Sequence, residues 1–414
     1  MLKFDAPADA VLSAYFRTHR ALGQHDRGFV ADSVFGVLRH KRTLDYLART
    51  ADPRRLLLAW AARFEGFSMR QLETVLRPGD AEWIAGLRSA ATDTLPAAVL
   101  AELPNWAFER LEQQIGIEET LVLGRSLQQP APLDLRVNTL KADRESARRA
   151  LGENGIEATP TPYSPIGLRL SGKPAVNRDS VFLRGDVEVQ DEGSQLIGYL
   201  VAPRRRELVV DFCAGAGGKS LMLGAAMSSQ GRLYAFDVAP ARLARLRQRL
   251  KRSGLSNVHP HLLANEHDQK VKRLAGKIDR VLVDAPCSGF GTLRRNPDLK
   301  WRQSPDSVAE MRAKQASILR AAATLVKPGG RLIYATCSVL REENEDIVDG
   351  FMDEHPEFTG VSCGDILRQQ DIEANVGERM RLWPHVHGTD AFFGAVLERA
   401  MGPLREGAQA RISL

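Results

Sequence analysis

Apolar positions recur at helical spacing through the first part of the chain. Val11, Leu12, Tyr15 and Phe16 share one face. Phe29, Val30, Val34, Val37 and Leu38 share another, which the pattern continues to Leu44 and Leu47. Asp52-Pro53 interrupts, and the apolar run 56–60 resumes. Arg77-Pro78-Gly79-Asp80 turns the chain before Trp83, Ile84 and Leu87. A last helix begins at Leu103-Pro104-Asn105-Trp106, carries Phe108, Leu111 and Ile115, and ends near Gly116. No alternating pattern intervenes, so a small helical bundle is predicted over 1 to about 125.

The texture changes near Gln128. Residues 132–138 alternate as a strand, 144–151 read as a short helix, and Pro160, Pro162 and Pro165 punctuate a loop before Leu168-Arg169-Leu170. Gln190-Asp191-Glu192-Gly193-Ser194-Gln195 opens a helix. From Leu208 onward strands alternate with helices. The predicted strands are 208–210, 232–237, one led by Asn257-Val258-His259, 278–284, and 331–336 after the turn Lys327-Pro328-Gly329-Gly330. Helices are predicted at 240–253, 306–326 and through Ile347, Val348 and Phe351, and two late strands near 358–361 and 392–397. Alternating β and α elements imply a doubly wound sheet with its ligand at the carboxyl ends of the strands.

Within that frame, Asp211-Phe212-Cys213-Ala214-Gly215-Ala216-Gly217-Gly218-Lys219-Ser220 is a strand, a small-residue turn and a helix start, the entry to a nucleotide-type site. The glycine spacing is too short for a P-loop. Asp237 ends the next strand 22 residues after Gly215, close to the position of an acid that binds ribose hydroxyls. The 240–253 helix carries Arg242, Arg245, Arg247, Arg249, Lys251 and Arg252 opposite its buried leucines, read as a solvated face.

Two cysteines follow neighbouring strands, Cys287 in Asp284-Ala285-Pro286-Cys287-Ser288 and Cys337 in Ala335-Thr336-Cys337-Ser338. Their spacing does not suit zinc, and His385-Val386-His387 lacks a third ligand, so no metal is expected. Two thiols beside one cofactor site suit methylation of an unreactive ring carbon. Thiolate addition at carbon 6 of a cytosine makes carbon 5 able to accept a methyl group, after which a base removes the carbon-5 proton and the thiol leaves. Cys337 is expected just before a helix start, where the dipole favours thiolate, although Glu342 and Glu343 oppose that. Cys213 and Cys363 read as structural.

These motifs resemble the S-adenosylmethionine-dependent RNA (cytosine-5)-methyltransferases of the NOL/NOP/Sun type, over about 130–400. The resemblance rests on Asp-Phe-Cys-Ala-Gly-Ala-Gly-Gly-Lys-Ser, Asp-Ala-Pro-Cys-Ser-Gly and Ala-Thr-Cys-Ser in that order. It implies that Cys337 attacks the base and Cys287 assists release of the product. It implies that the backbone of Cys213, Ala214, Gly215, Ala216, Gly217 and Gly218 holds the methionine part of the cofactor and that Asp237 binds its ribose. Asp284 is implied at the methionine end or the base, with Lys219 nearby and Asn265 where the family usually offers an Asp to the adenine. Pro286, Arg294 and Arg295 are implied in substrate binding. Gly388-Thr389-Asp390-Ala391-Phe392-Phe393 also fits, with Ala391 for the usual Gly.

The segment from Asp26-Arg27-Gly28 to Val37-Leu38-Arg39 is similar to the NusB-like helical domain of bacterial ribosomal-RNA members, with Arg39, His40, Lys41 and Arg42 as RNA-gripping candidates. The expected division is a NusB-like all-α domain at 1–127, a small α+β domain at 128–202, a Rossmann-like seven-stranded methyltransferase domain at 203–400, and a tail at 401–414.

Composition changes this picture little. The 414 residues carry 57 Lys and Arg against 51 Asp and Glu, a net charge of +6 that suits a polyanionic partner. Four cysteines make no disulfide framework, and neither a signal peptide nor a membrane-length apolar run is seen. The expectation is a cytoplasmic, monomeric enzyme acting on RNA, with 16S ribosomal RNA as the implied substrate. A non-catalytic RNA-binding or ribosome-assembly factor, and the same chemistry on transfer RNA, are the alternatives.

Overall fold

The computed structural model describes residues 2–92 and 94–401, so the expected tail lies outside the described residues except for its first position. By contacts the chain forms two compact units. The first comprises Met1–Ala131, Ser288–Val308 and Pro384–Gly388; the second comprises Pro132–Cys287, Ala309–Trp383 and Thr389–Leu414.

The first unit is helical. Its longer elements are Ala8–Thr18, Gln24–Arg39, Lys41–Ala48, Pro53–Arg63, Asp80–Ser89, Asn105–Ile115 and Ile117–Leu127. Leu44, Leu56, Trp60 and Ile84 are among the apolar side chains that close its core. Asp52 caps the Pro53–Arg63 helix by accepting from the Arg54 N–H, with Pro53 at the first helical position, where its missing N–H costs nothing.

The face expected to run unbroken from Phe29 to Leu47 is interrupted at His40, whose φ of −103° and ψ of 20° end one helix and begin the next. A helix end leaves carbonyls without intrahelical partners, and here Lys300 Nζ donates to the Arg39 carbonyl at 2.9 Å and Trp301 Nε1 to that of Leu38 at 3.2 Å. Periodicity carries no trace of these partners, which arrive from more than 250 residues away.

The second unit holds two sheets. Strands β1 (Leu133–Val137), β2 (Ala158–Pro160), β3 (Gly167–Leu170) and β4 (Val187–Val189) form an antiparallel sheet of order β2-β3-β1-β4. Pro160, expected in a loop, pairs with Leu168 on the edge strand β2, where a residue without an N–H is tolerated.

The larger sheet contains β5 (Leu208–Asp211), β6 (Arg232–Asp237), β7 (Val258–Leu262), β8 (Ile278–Asp284), β9 (Val326–Thr336), β10 (Phe358–Val361) and β12 (Phe392–Arg399) in the order β10-β12-β9-β8-β5-β6-β7. The pairs from β9 through β8, β5 and β6 to β7 are parallel, and β12 runs antiparallel between β9 and β10. A three-residue strand, β11 (Met380–Leu382), adds to β12; it was not expected, being too short to show a period. The Lys327–Gly330 turn lies inside the extent of β9, with the register against β8 shifting between Ile278 and Arg280.

Val209, Val210, Val281, Leu282 and Val283 are all fully buried, as central parallel strands covered on both faces must be. The chain winds outward from β5 to β7 and then returns to β8 on the other side of β5. That reversal places the switch point, and the crevice of an open α/β sheet, at the carboxyl ends of β5 and β8.

Candidate active site

The turn after β5 is built from its glycines. Gly215 and Gly217 adopt φ of 56° and 86°, values that side-chain-bearing residues rarely take. A Cβ on Gly217 would also lie 2.1 Å from Leu246 Cδ1 on the Pro240–Ser253 helix, whereas one on Gly215 would meet open space. The turn closes through the Gly217 N–H to the Ala214 carbonyl at 2.8 Å, and the Ala214 N–H donates to the Phe236 carbonyl at 2.8 Å.

From the neighbouring β6, Asp237 accepts from the Gly215 N–H through Oδ2 at 2.8 Å and from the Ala239 N–H through Oδ1 at 2.7 Å. Asp237 is thereby fixed against the turn.

Two members of the supposed solvated face belong to this scaffold. Arg249 donates to the Ala216 carbonyl at 2.9 Å and, with Arg252, pairs with the buried Glu188 of β4 at 3.0 and 2.5 Å. The arginine run is therefore partly a clamp between the glycine turn and the smaller sheet.

Behind the turn sits Asp211, the last residue of β5. Burial pushes its carboxyl up to about 7, with the nearby Asp284 adding to the effect, while Ser220 Oγ donates to Oδ2 at 2.6 Å. Its Oδ1 is buried without a hydrogen-bond partner. Lys219 Nζ lies 2.7 Å from Asp284 Oδ2 and over the Phe392 ring. Burial alone would lower its pKa, but Asp284 outweighs that and holds the ammonium above its ordinary range, with Cys337 contributing in the same sense. Cys213 is pushed well above the usual thiol range by burial and by Asp211, Asp284 and Asp237, which marks it as inert. Cys363 is fully buried and burial pushes it up to about 11.

The two remaining thiols converge. Cys287 Sγ and Cys337 Sγ lie 3.4 Å apart, both partly exposed. The pairing of Asp284 with Ala335 in the β8–β9 ladder sets this up, since Cys287 is three residues past Asp284 and Cys337 two past Ala335. The helix expected directly after Cys337 begins only at Glu345, beyond a 3-10 turn at Arg341–Glu343, so the dipole argument for its thiol does not apply.

Asn265 is exposed beyond β7, its Oδ1 accepting from the His267 N–H at 2.9 Å. Pro286 is partly buried beside Cys287. Arg294 and Arg295 belong to the first unit, where Arg294 is buried and donates to the Gly388 carbonyl at 3.4 Å. In the same unit Arg39 donates to the Arg294 carbonyl, and His385 pairs with Glu119 at 2.5 Å. Among the described residues no group of three or more His, Cys, Asp or Glu could hold a metal ion.

The donor set fits S-adenosylmethionine. Asp237 presents acceptors suited to a ribose diol. Asp284, partly exposed at the carboxyl end of β8, suits a ligand carrying ammonium and sulfonium charge. Gly215 leaves space where a side chain would stand. A doubly wound sheet with this turn at its switch point, and paired thiols past its next two strands, defines a Rossmann-like methyltransferase.

Comparison with known proteins narrows the class. Residues 198–398 match the family described as 16S rRNA methyltransferase RsmB/F, and 103–177 match its ferredoxin-like domain. A probable ribosomal RNA small subunit methyltransferase B of Synechocystis is 31% identical, with 96% of each chain covered. The crystal structure of PH0851 superposes with a TM-score of 0.78 at 28% identity, over 93% of each chain. A methyltransferase homolog from Pyrococcus horikoshii gives 0.63 at 26%, covering 75% of this chain and 100% of that one. This chain belongs to the RsmB/F family of methyltransferases.

Sequence reasoning missed Asp211 as a buried acid, the Glu188 clamp, and the polar side chains behind the thiols. Asp211 was legible as the last residue before the turn. The others make contacts that no local spacing announces.

Proposed function

We propose that this enzyme transfers a methyl group from S-adenosylmethionine to carbon 5 of a cytosine in 16S ribosomal RNA, with Cys337 as nucleophile and Cys287 as the residue that releases the product. The 3.4 Å approach of the two thiols carries the reading. At that separation both sulfurs can face one bound base, Cys337 to add to its ring and Cys287 to act in its release. The cofactor, when bound, supplies an electrophilic methyl group. Cys337 Sγ bonds carbon 6, raising electron density at carbon 5. Once carbon 5 is methylated, Cys287 as thiolate takes the carbon-5 proton, and breaking the carbon 6–sulfur bond returns Cys337 as thiolate. Both ring faces must be reached, so the cytosine is unstacked on binding.

Asp237 would hold the ribose, the backbone from Cys213 to Gly218 the methionine portion, and Asn265 an edge of the adenine. Lys219 would hold Asp284 oriented at the methionine end. Pro286, Arg294 and Arg295 would serve the RNA. The division into 1–127, 128–202, 203–400 and a tail is proposed as the working one, with the helical part gripping RNA. The names of the relatives support ribosomal RNA as substrate. No helix among the described residues is long and apolar enough to cross a membrane, and a cytoplasmic monomer is proposed.

Cys287→Ala should accumulate a denaturation-resistant adduct with RNA, and Cys337→Ala should form none. Bisulfite sequencing of RNA from cells with and without the gene should lose one methylated cytosine in 16S ribosomal RNA. Methylation of carbon 5 by the Cys337→Ala protein would overturn the assignment of roles.

A further inference from the structure

Behind the two thiol-bearing segments lies a buried polar chain with no part in binding or in the chemistry above. Gln315, on the Pro305–Ala323 helix, and Glu343, in the turn after β9, are both fully buried. Gln315 Nε2 donates to the Pro286 carbonyl at 2.9 Å and to Glu343 Oε1 at 3.0 Å. Glu343 Oε2 accepts from Ser338 Oγ at 2.5 Å, and the Glu343 carbonyl accepts from the Tyr334 hydroxyl at 2.7 Å. Asn344 closes the far side, with Nδ2 donating to the Ser338 carbonyl at 3.0 Å and Oδ1 accepting from Thr336 Oγ1 at 2.5 Å.

Pro286 immediately precedes Cys287, and Ser338 immediately follows Cys337. One amide and one carboxylate therefore link the backbones that carry both sulfurs. The chemistry admits few substitutes. Both partners of the Gln315 amide are acceptors, so its NH₂ must face them, and its two protons serve the two partners. Burying such groups is costly unless each is satisfied; Gln315 Nε2 and both Glu343 oxygens are hydrogen-bonded, while Gln315 Oε1 is buried without a partner, so the amide is held through its donors alone.

We propose that Gln315 and Glu343 are positioning residues that set the Cys287–Cys337 separation, acting through Pro286 and Ser338 rather than on the substrate. The inference rests on the two-thiol reading of the site. Its test needs no methylation: the rate at which diamide, a thiol oxidant reduced to a hydrazine, joins Cys287 to Cys337 as a disulfide. That rate follows how often the sulfurs meet.

In the full-length protein, Gln315→Leu keeps the volume and removes both donors. Cross-linking should slow by about tenfold to a hundredfold, the effect of misplacing reacting groups by roughly an ångström. The kcat should fall in parallel, while KM for S-adenosylmethionine stays unchanged. Glu343→Gln, which keeps an acceptor for Gln315, should recover most of the wild-type rate where Glu343→Ala does not. Unchanged cross-linking and kcat in Gln315→Leu, or a lowered Tm alone, would overturn the proposal. If that variant does not fold, Ser338→Ala, lacking a single hydroxyl, carries the same test with the same two outcomes. Fast cross-linking in a wild-type protein that methylates no cytosine would sink the functional reading and leave the brace intact.

Discussion

At the scale of single residues, burial decides which groups of the site carry charge. Asp211 is the plainest case. Its folded-state carboxyl keeps a proton up to about pH 7, whereas in the unfolded chain it loses it near 3.8. Between those values the native state binds more protons, so this residue's contribution to stability is fully present below pH 4 and declines as the pH rises to 7. Asp211→Asn should flatten that part of the stability profile, read as urea midpoints from pH 4 to 8. Gly217→Ala should cost about 3 kcal/mol, from left-handed backbone strain together with overpacking against Leu246. Thermal unfolding measures it, and the same change at Gly218, whose nearest contact is Gln190 Nε2 at 3.9 Å, should cost far less. The thiols were legible before the fold was known because each follows a strand in a motif of fixed order, and Asp237 because it ends the strand after the glycine turn. Gln315 and Glu343 were not, because an ordinary helix residue and a loop acid become partners only when the chain closes between them.

Elements show where local pattern misleads. The arginine-rich face of the Pro240–Ser253 helix looks solvated in sequence, yet Arg249 and Arg252 converge on Glu188, which is 3% exposed. Glu188→Gln leaves the two guanidinium groups without a charge partner and loosens the Ala216 carbonyl at the cofactor turn. The dissociation constant for S-adenosylmethionine should rise about tenfold, roughly 1.4 kcal/mol by titration calorimetry, with little change in secondary structure. The break at His40 is the second case. Burial, Lys300 and Arg39 push its imidazole down from 6.5 to about 3, and it stacks on Phe64 with ring centroids 3.9 Å apart. The unfolded chain therefore takes up a proton below pH 6.5 that the folded helices refuse until about 3, so stability falls as the pH drops through that window. His40→Phe should make acid unfolding shallower there, followed by circular dichroism at 222 nm. Periodicity placed the helices on either side of His40 but could not place the break, which depends on Lys300 and Trp301.

For the whole molecule, the doubly wound sheet was legible in the alternation of β and α elements, because that alternation leaves few topologies open. Membership of the helical unit did not. Residues 288–308 follow the β8 motif in sequence but pack with the helices of the first unit, as do 384–388. Lys300 lies buried beside Glu102 at 3.9 Å, with burial pulling its ammonium down to about 8 and pushing the Glu102 carboxyl up. Lys300→Met should relieve one buried charge and strand the other. A net loss of about 3 kcal/mol is expected at pH 7, and Lys300→Met combined with Glu102→Gln should restore much of it, as chemical denaturation would show.

That placement has a consequence for biosynthesis. The ribosome releases the first 131 residues long before it has made the lysine and tryptophan that cap the Gln24–Arg39 helix. The amino-terminal helices therefore cannot reach their finished packing until translation has passed codon 388. Nascent chains stalled near residue 280 should be cut readily around His40 by a limiting protease, and those stalled well beyond residue 388 should resist it.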